Sequence, residues 1–574
     1  MVDFNKIDMG ELGRHLFAKI LKATASDGKY TEIMEEAKLK NEPYTDESFQ
    51  PNEFSLIADW DEDEVADKVK LWKQFEWIRC NDIESLNDNE GKLAVFQGDI
   101  SPSDILQGLL GDCYFLSVLS VLCEKPDRIR KLFISDRQNS FGIYGMRICK
   151  NGEWKEVVVD DFVPCYKGDP AFSKANGNEL WVILLEKAWA KLHGNYERIE
   201  AGFAENVMRD LTGAPTEVIE TEEEDIFQRV MDADNRNFVM AASAGTTGAS
   251  VEALEKLGLI GFHAYGLLKA VEVQDRFGDT IQLFQLRNPW GDFEWKGDWA
   301  DDSDDWTDES KEIAGWTNED DGAFFMCLDD IRKYFSRVQI CRVNDNYKYS
   351  SFKARHKLGM FCMIRFVVNA PGGHHYLSIS QTDERCFDRK IDYDYTNVRL
   401  IVAKIQNPED EEKVLIYKNG KMGQDRETWE EYENLEAGEY YMFVEFDWPD
   451  NAEHTEFCVS CYGEATTYFL RDERSLFRKD DVVRMLMASC AEQGLAEQKV
   501  TDFESQGAPD IKKYFAMTEE GYGYVHIAND DAEAVYKESI NYTKFEKLQL
   551  EKPFKGTSYE IEVKPGERRT VVIR

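Results

Sequence analysis

The sequence has little positive charge for its length and contains no long apolar run. Of its 574 residues, 69 are Lys or Arg and 110 are Asp or Glu, which gives a formal net charge of −41. Such an excess of acid repels phosphate backbones, so nucleic-acid binding is a poor candidate function. It also disfavours resting contact with an anionic membrane unless a cation intervenes. No apolar stretch approaches the roughly 18 residues that span a bilayer.

Export and anchoring signals are also missing from the start of the sequence. Residues 1–4 carry neither the basic segment nor the apolar segment of a secretory signal, and position 2 is not the Gly of a myristoylation signal. The 12 Cys residues are scattered and do not form the dense framework of a small secreted fold. We therefore expect a soluble, cytoplasmic protein with reduced thiols.

Length and patterning predict several domains. At about 100–200 residues per domain, the chain should hold three or four domains, and 43% hydrophobic residues suffice for packed cores. Helical periodicity dominates the start, a mixed pattern follows, and short strands separated by turns, typical of a β-sandwich, fill the region after 344. The predicted segments are an N-terminal helical segment at 1–49, units at 50–212 and 213–343, a β-sandwich at 344–470 and a second β-rich module at 471–574.

One stretch combines a tight turn, a cysteine and an apolar helix. Gly111 permits the turn, and the apolar residues after Cys113 predict a buried helix that starts at or near that cysteine. The partial positive charge of a helix N-terminus favours the thiolate, which is the nucleophilic form. The side-chain amide of Gln107 and the backbone N–H of Cys113 can then donate to a developing oxyanion.

Two further segments supply partners for such a thiol. His263 stands at the start of a β-type run, and Asn288 precedes Pro289, which holds it extended. An Asn oxygen can accept the Nδ1 proton of the histidine and leave Nε2 facing the thiol, while Trp290 can shield the pair from water. Taken alone, Cys113 and His263 are each more typical of buried core residues than of catalytic ones. Together, Cys, His and Asn in this order form the papain-type arrangement for acyl transfer.

At these motifs the chain resembles the calpains, the Ca²⁺-dependent intracellular cysteine proteases. The resemblance covers about 50–343. The matching blocks are residues 75–79, 107–116, 159–161, 184–191, 210–213, 261–266, 288–291, 321–322 and 324–326.

The resemblance implies an α+β fold with a two-lobed papain-like core. Lobe 1 at 50–212 carries the nucleophile Cys113 and the oxyanion donor Gln107. Lobe 2 at 213–343 carries the general base His263, its orienting partner Asn288 and the shield Trp290. A C2-like antiparallel β-sandwich and a second β-rich module, for which a C2-like fold is the candidate, would follow.

The resemblance also implies Ca²⁺ bound to each lobe. The matching carboxylates are Asp104 and Glu186 in the first lobe and Glu294, Asp301 and Asp321 in the second. A hard cation takes six to eight oxygens, so backbone carbonyls and water must complete each site. The chain departs from the family at two positions, because Ala323 replaces a Glu of the second site and Pro102 replaces the Arg that pairs with that Glu. We therefore expect weaker or differently coupled activation by Ca²⁺.

No segment fits an EF-hand loop, so the resemblance is to an atypical calpain, and no EF-hand small subunit is implied. The expected partners are protein substrates, with Ca²⁺-dependent membrane contact through the C2-like modules as a further expectation. The acidic runs at 409–412 and 427–436 are read as loops that bind Ca²⁺, dock on basic residues or are merely solvated.

Two other functions stay open beside a Ca²⁺-regulated endopeptidase that makes limited cuts. One is a non-catalytic Ca²⁺-dependent scaffold, although degenerate relatives usually lose Cys, His or Asn and this chain keeps all three. The other is a transglutaminase-like thiol acyltransferase, a class that prefers Asp at the position of Asn288.

Overall fold

The structure, a computed structural model, describes most of the chain. The described residues are 28–57, 66–87, 93–175, 177–245, 250–387, 391, 393–408, 410, 414–450, 452–494, 501–502, 510–541, 550 and 558–573. The chain divides into two compact units. The first comprises 1–150, 154–345 and 385–391, and the second comprises 151–153, 346–384 and 392–574.

The first unit begins with helices around short strands. Its helices are Lys29–Lys40, Ala66–Trp72, Glu84–Asn87, Cys113–Leu122, Pro126–Arg130, Trp181–His193, Ala204–Thr212, Ile226–Asn235, Val251–Lys256, Asp308–Ala314 and Leu328–Tyr334. Its short sheets are formed by Glu76–Arg79, Phe162–Tyr166 and Asp169–Pro170, by Ile105–Leu106 with Lys174–Ala175, and by the hairpin Ile143–Lys150 with Glu153–Asp160.

A six-stranded antiparallel sheet organises the rest of the first unit. Its order is Ala323–Cys327, Thr280–Arg287, Ala264–Gln274, Val239–Ala244, Phe335–Cys341 and Thr216–Glu220. Apolar side chains of these strands and of the helix Ile226–Asn235 form one buried cluster, which includes Tyr265, Phe284 and Phe324. This sheet therefore provides a rigid support for the residues at its strand ends.

The helix Cys113–Leu122 is apolar on all sides and almost wholly buried, as expected for a helix inside a core. It packs against the strand Ala264–Gln274 at Gly266. A Cβ atom built on Gly266 would lie 2.8 Å from Ser120 Oγ and 2.9 Å from Val121 Cγ1. Glycine is therefore required there for the helix and the strand to approach this closely.

The second unit contains one large antiparallel sheet and a smaller β-rich part. The sheet runs Lys348–Arg355, Glu456–Gly463, Cys362–Gln381, Glu427–Phe446, Val398–Ile405 and Leu415–Gly423, and Thr467–Asp472 also pairs with Cys362–Gln381. The helix Lys479–Glu492 follows, then a sheet of Thr501–Asp502, Ile511–Met517, Gly523–Asn529 and Arg568–Ile573, and a hairpin of Tyr536–Asn541 with Ser558–Val563.

Apolar residues cover both faces of the large sheet in an alternating pattern. Ile364 and Phe366 belong to the cluster on one face, whereas Phe361 and Met363 belong to the cluster that includes the helix Lys479–Glu492. This alternation follows from the two-residue period of a strand.

Several sequence predictions are confirmed and some are wrong. The predicted helix at Cys113 is present as Cys113–Leu122, and the predicted β-type run after His263 is present as the strand Ala264–Gln274. The prediction that the acidic run 427–436 is a loop is wrong, because this run forms the first half of the strand Glu427–Phe446. Residues 1–27 of the N-terminal helical segment predicted at 1–49 lie outside the described residues, and the described part contains the helix Lys29–Lys40. The five predicted segments stay a prediction.

Within the described ranges, no helix has both the length and the apolarity to cross a bilayer.

Candidate active site

Cys113 is the first residue of its helix, as predicted. The first N–H groups of a helix lack an intrahelical acceptor, so the backbone N–H of Cys113 is available to an anion. The thiol lies beside the backbone of Ala264, the residue that follows His263. The close packing at Gly266 therefore brings the predicted nucleophile to the start of the strand that carries the predicted base.

His263 and Asn288 meet at the ends of neighbouring strands. Gly266 pairs with Arg287 in the sheet, which places the residues just outside these strands side by side. The Oδ1 atom of Asn288 lies 2.9 Å from His263 Nε2. The predicted assignment of the ring nitrogens is therefore wrong. Asn288 engages Nε2, and Nδ1 is the nitrogen that remains for a thiol, because the ring enters from the strand end in the opposite orientation.

Asn288 itself is completely buried and fixed by its loop. Its Nδ2 donates to the carbonyls of Asp292 at 2.9 Å and Phe293 at 3.2 Å, and its backbone N–H donates to Gly322 at 2.8 Å. Because both amide protons point into this loop, only Oδ1 is left to face His263. The loop thus decides the orientation of the imidazole.

Trp290 connects the base to Gln107. Its ring centroid lies 5.4 Å from that of His263, and its Nε1 donates to Gln107 Oε1 at 2.9 Å. Gln107 Nε2 in turn donates to the carbonyl of Leu110 at 2.7 Å. An amide nitrogen has two protons, so the second proton of Gln107 is the one that can serve an oxyanion. Trp290 keeps 41% of its surface exposed.

Burial holds the thiol and the imidazole in their neutral forms. It raises the pKa of the Cys113 thiol, and the Asp112 carboxylate adds to this effect, whereas backbone N–H groups oppose it. Burial also lowers the pKa of His263 to about 4, against a smaller opposing effect of the hydrogen bond to Asn288. Desolvation of the charged form therefore opposes the thiolate that the helix N-terminus is predicted to favour.

The three predicted carboxylates of the second lobe lie close enough to repel one another. Burial and, to a smaller extent, the neighbouring charges of Glu294 and Asp321 raise the pKa of Asp301 to about 7. Glu294 Oε1 accepts the backbone N–H groups of Asp321 at 3.1 Å and Gly322 at 2.7 Å. In the described part of the chain, the oxygens of these three carboxylates do not all lie close enough to one another to hold one metal ion. These three carboxylates therefore form a negatively charged set that contains no positively charged residue.

In the first lobe, the structure brings Asp104 together with Glu179 and not with Glu186. Burial raises the pKa of Glu179, and Asp104 contributes to that rise. The Glu179 carboxylate accepts the backbone N–H of Gln97 and, at 2.9 Å, Trp181 Nε1. Glu186 instead points into the core, where its Oε1 accepts the Ser173 N–H at 2.9 Å. Glu179 lies just before the helix Trp181–His193 and Glu186 lies within it, seven residues further along the chain.

Sequence reasoning also missed Arg287, the residue before Asn288. Its side chain is buried, and both Nη atoms have no hydrogen-bond partner within the described structure. Asp321 of the second lobe and Asp104 of the first both act on its charge. The Arg287 guanidinium is thus within electrostatic range of a carboxylate from each set. In this chain, Pro102 and Ala323 replace the Arg and the Glu that pair in the family.

Comparison with known proteins agrees with this arrangement. Residues 44–342 match the family model described as calpain family cysteine protease. The calpain-type cysteine protease DEK1 of Arabidopsis thaliana is 36% identical over 313 residues, which cover 52% of this chain and 14% of that protein. Calpain-9 of Mus musculus is 36% identical over 256 residues, or 43% of this chain and 37% of that protein.

The chain thus aligns with well under half the length of these curated relatives. Among solved structures, the clostridial cysteine protease Cwp84 covers 68% of this chain at 11% identity, and its TM-score of 0.22 is too low to support an argument. The family match covers every residue of the site described above. The chain therefore belongs to the calpain family of cysteine proteases.

Proposed function

We propose that this protein is a Ca²⁺-regulated cysteine endopeptidase that makes limited cuts in protein substrates through Cys113, His263 and Asn288. The observation that carries the proposal is the fixed hydrogen bond between Asn288 and His263, beside the helix that begins at Cys113. Family membership supports the same reaction class.

The residues supply each step of acyl transfer. His263 Nδ1 takes the thiol proton, and the sulfur of Cys113 attacks the scissile carbonyl. The Cys113 N–H and the second amide proton of Gln107 stabilise the oxyanion. His263 then gives its proton to the leaving amine, and water releases the acyl group from sulfur. Asn288 holds the imidazole in place throughout, and Trp290 limits the access of water.

The neutral thiol and imidazole support a regulated enzyme. A papain-type pair reacts as thiolate and imidazolium, whereas burial here favours both neutral forms. Catalysis then requires a rearrangement that opens the pair to substrate and stabilises the ion pair. This requirement separates the resting state from the active state.

The chain offers two carboxylate sets that fit Ca²⁺. Asp104 and Glu179 would hold an ion in the first lobe, and Glu294, Asp301 and Asp321 would hold one in the second. Carboxylate oxygens are the ligands that Ca²⁺ prefers, and the raised pKa of Asp301 marks a place where positive charge is favoured. When bound, Ca²⁺ would neutralise these carboxylates and draw each set together.

The compartment, the membrane contact and the substrates are part of the same proposal. All 12 cysteines are free, which supports a reducing, cytoplasmic location. Protein substrates follow from the reaction class. Ca²⁺-dependent membrane contact through the second unit would follow from neutralisation of its acidic surface.

Cleavage of a quenched casein-type substrate by purified full-length protein tests the proposal. We expect cleavage in Ca²⁺, loss of it with Cys113→Ala, and little change with Cys327→Ala. Cys327 is the matched control because it is the other half-exposed cysteine. Cleavage by Cys113→Ala would contradict the assignment, and an inactive wild type that still binds Ca²⁺ would favour the scaffold. Transfer of substrate acyl groups to added amines in preference to water would favour the acyltransferase.

A further inference from the structure

A short turn leads into His263, and its backbone is strained at the residue before the base. Phe262 has a φ of +54°, in the left-handed region, which is disfavoured for a bulky side chain. The Phe262 ring gains little packing in return, because 76% of the residue is exposed. Strain of this kind persists only where the surrounding structure enforces it. Contacts on both sides of Phe262 must therefore hold the turn at residues 260–262.

The chain is anchored before the turn and after it. After the turn, the His263 carbonyl accepts the Ala244 N–H at 2.9 Å, and the strand Ala264–Gln274 begins at the next residue. Before the turn, the Leu259 N–H donates to the Leu254 carbonyl at 3.0 Å. The strained residue thus lies in a short span between two fixed points.

Tyr265 reaches back from the strand to the first residue of this span. Its hydroxyl oxygen accepts the backbone N–H of Ile260 at 2.9 Å. A hydroxyl can accept such a bond while it stays neutral. The bond closes the chain from Ile260 to Tyr265 into a loop that contains both Phe262 and His263.

The position of Tyr265 is set by the core. The residue is 0% exposed, and its ring lies edge-on to Phe324 and Phe335, with centroid distances of 5.9 and 5.4 Å. The same ring lies 4.9 Å from the His263 ring, at an interplanar angle of 87°. Edge-to-face contacts of this kind are favourable. Tyr265 therefore contacts both the strained turn and the imidazole from a fixed place.

We propose that Tyr265 is a positioning residue that holds the strained turn at 260–262 and thereby fixes the direction of the His263 imidazole. Its hydroxyl restrains Ile260, and its ring restrains the imidazole. Without the hydroxyl, Phe262 can relax to a negative φ, and the backbone that carries His263 rotates with it. The positioning role rests on the proposed function, because Tyr265 acts on the reaction through His263, whereas the held turn does not.

Steady-state cleavage of a quenched peptide by the full-length protein in Ca²⁺ tests the positioning role. We expect Tyr265→Phe to lower kcat by about tenfold with KM unchanged within about twofold, because a buried hydroxyl cannot reach the peptide. Tyr440→Phe is the matched control. Tyr440 is also 0% exposed, and its hydroxyl donates to the Glu436 carbonyl at 2.8 Å. Equal kcat values for the two variants would overturn the positioning role.

Phe262→Gly separates the positioning role from a general loss of stability. Glycine adopts a φ of +54° without strain, so the turn no longer has to be held. We expect Tyr265→Phe to cost about tenfold in kcat in the wild-type background and less than about threefold in the Phe262→Gly background. The same cost in both backgrounds would overturn the proposal that Tyr265 acts by holding the strained turn.

Thermal unfolding tests the strain without any measurement of activity. Phe262→Gly should raise the unfolding midpoint by about 1–3 °C, because it removes the strain. Phe277→Gly is the matched control, because Phe277 is 78% exposed and its φ is not positive. This control should lower the midpoint, since glycine there only adds freedom to the unfolded chain. A midpoint that falls as far with Phe262→Gly as with Phe277→Gly would overturn the strain.

Amide hydrogen exchange at residues 257–264, followed by mass spectrometry, tests the hydrogen bond to Ile260. We expect Tyr265→Phe to speed exchange of the Ile260 amide by about tenfold and Tyr440→Phe to leave it unchanged. Unchanged exchange in Tyr265→Phe would overturn the held turn. If exchange responds as expected but the wild type cleaves no peptide, the proposed function fails while the held turn stands. If the wild type and Tyr265→Phe cleave at equal rates, the positioning role fails while the proposed function stands.

Discussion

At the scale of single residues, Asn288 determines the orientation of the base. Its two amide protons are taken by carbonyls of its own loop, so its oxygen is left to accept from the backbone N–H of Trp290 and to face His263 Nε2. Asn288 therefore binds Nε2 of the imidazole, and the other ring nitrogen, Nδ1, faces the site. The side chain at this position must donate to two carbonyls and also present an oxygen to His263. An amide does both, whereas a charged carboxylate cannot donate.

Asn288→Ala should remove this orientation without removing the nucleophile. We expect kcat to fall by about 10²-fold with little change in KM, because the peptide does not contact Asn288. Steady-state kinetics on a quenched peptide measures both constants, with Asn237→Ala as a control outside the site. A fall confined to KM would contradict the orienting role.

The buried imidazole should also contribute a pH dependence to stability. The pKa of His263 is about 4 in the folded protein and about 6.5 when unfolded. The unfolded chain binds the extra proton between these values, so this contribution is present above pH 6.5 and is lost as the pH falls toward 4. The unfolding midpoint of wild type should therefore drop more steeply over this range than that of His263→Gln. Parallel curves would show that the imidazole is not held neutral.

The residue types of the site could be predicted from the sequence, but their detailed contacts could not. Cys113, His263 and Asn288 stand in motifs that few other functions explain. The ring nitrogen that meets Asn288 depends on how the chain enters the strand. Glu179 precedes the buried helix Trp181–His193 and Glu186 lies within it, and the fold alone decides which of the two acts on Asp104. Local sequence does not encode either feature.

At the scale of elements, the site depends on the contact between the Cys113 helix and the strand Ala264–Gln274. Gly266 makes that contact possible because Ser120 and Val121 occupy the space where a Cβ would stand. The distance between nucleophile and base is therefore set by packing several residues away from both.

Gly266→Ala should push the helix and the strand apart. We expect the free energy of unfolding to fall by about 1–3 kcal/mol and kcat/KM to fall with it, since small displacements of reacting groups are costly. Denaturant unfolding and peptide kinetics measure the two effects. Gly111→Ala is the stability control, because no atom lies within 4 Å of a Cβ built there. Unchanged stability in Gly266→Ala would contradict the packing argument.

Most strands could be predicted from alternating patterns, and the longest ones could not. Cys362–Gln381 and Glu427–Phe446 each run through a Gly-containing stretch that resembles a turn in sequence. The ladder continues past both stretches with register shifts at Gly372 and Gly373. Pairing with neighbouring strands, which local sequence does not reveal, overrides the turn-forming residues.

At the scale of the whole molecule, the proposed regulation depends on carboxylates in both lobes of the first unit. Asp104 and Glu179 lie in one set, Glu294, Asp301 and Asp321 lie in the other, and the charge of Arg287 is influenced by both. The large acid excess of the sequence thus includes groups with a specific place beside the site.

Glu179→Gln and Glu186→Gln should separate the two readings of the first-lobe set. We expect Glu179→Gln to weaken Ca²⁺ binding by at least about tenfold, because one carboxylate ligand loses its charge, and Glu186→Gln to leave it unchanged. Calorimetric titration of Ca²⁺ into the Cys113→Ala protein measures binding without self-cleavage. The opposite result would restore Glu186 as the ligand.

Covalent labelling of Cys113 by a thiol-directed epoxide, with and without Ca²⁺, tests the central proposal most directly. The neutral thiol and imidazole predict slow labelling in chelator and rapid, selective labelling of Cys113 when Ca²⁺ is added, with His263→Gln abolishing the acceleration. Equally rapid labelling in chelator, or none under either condition, would contradict a Ca²⁺-gated cysteine protease.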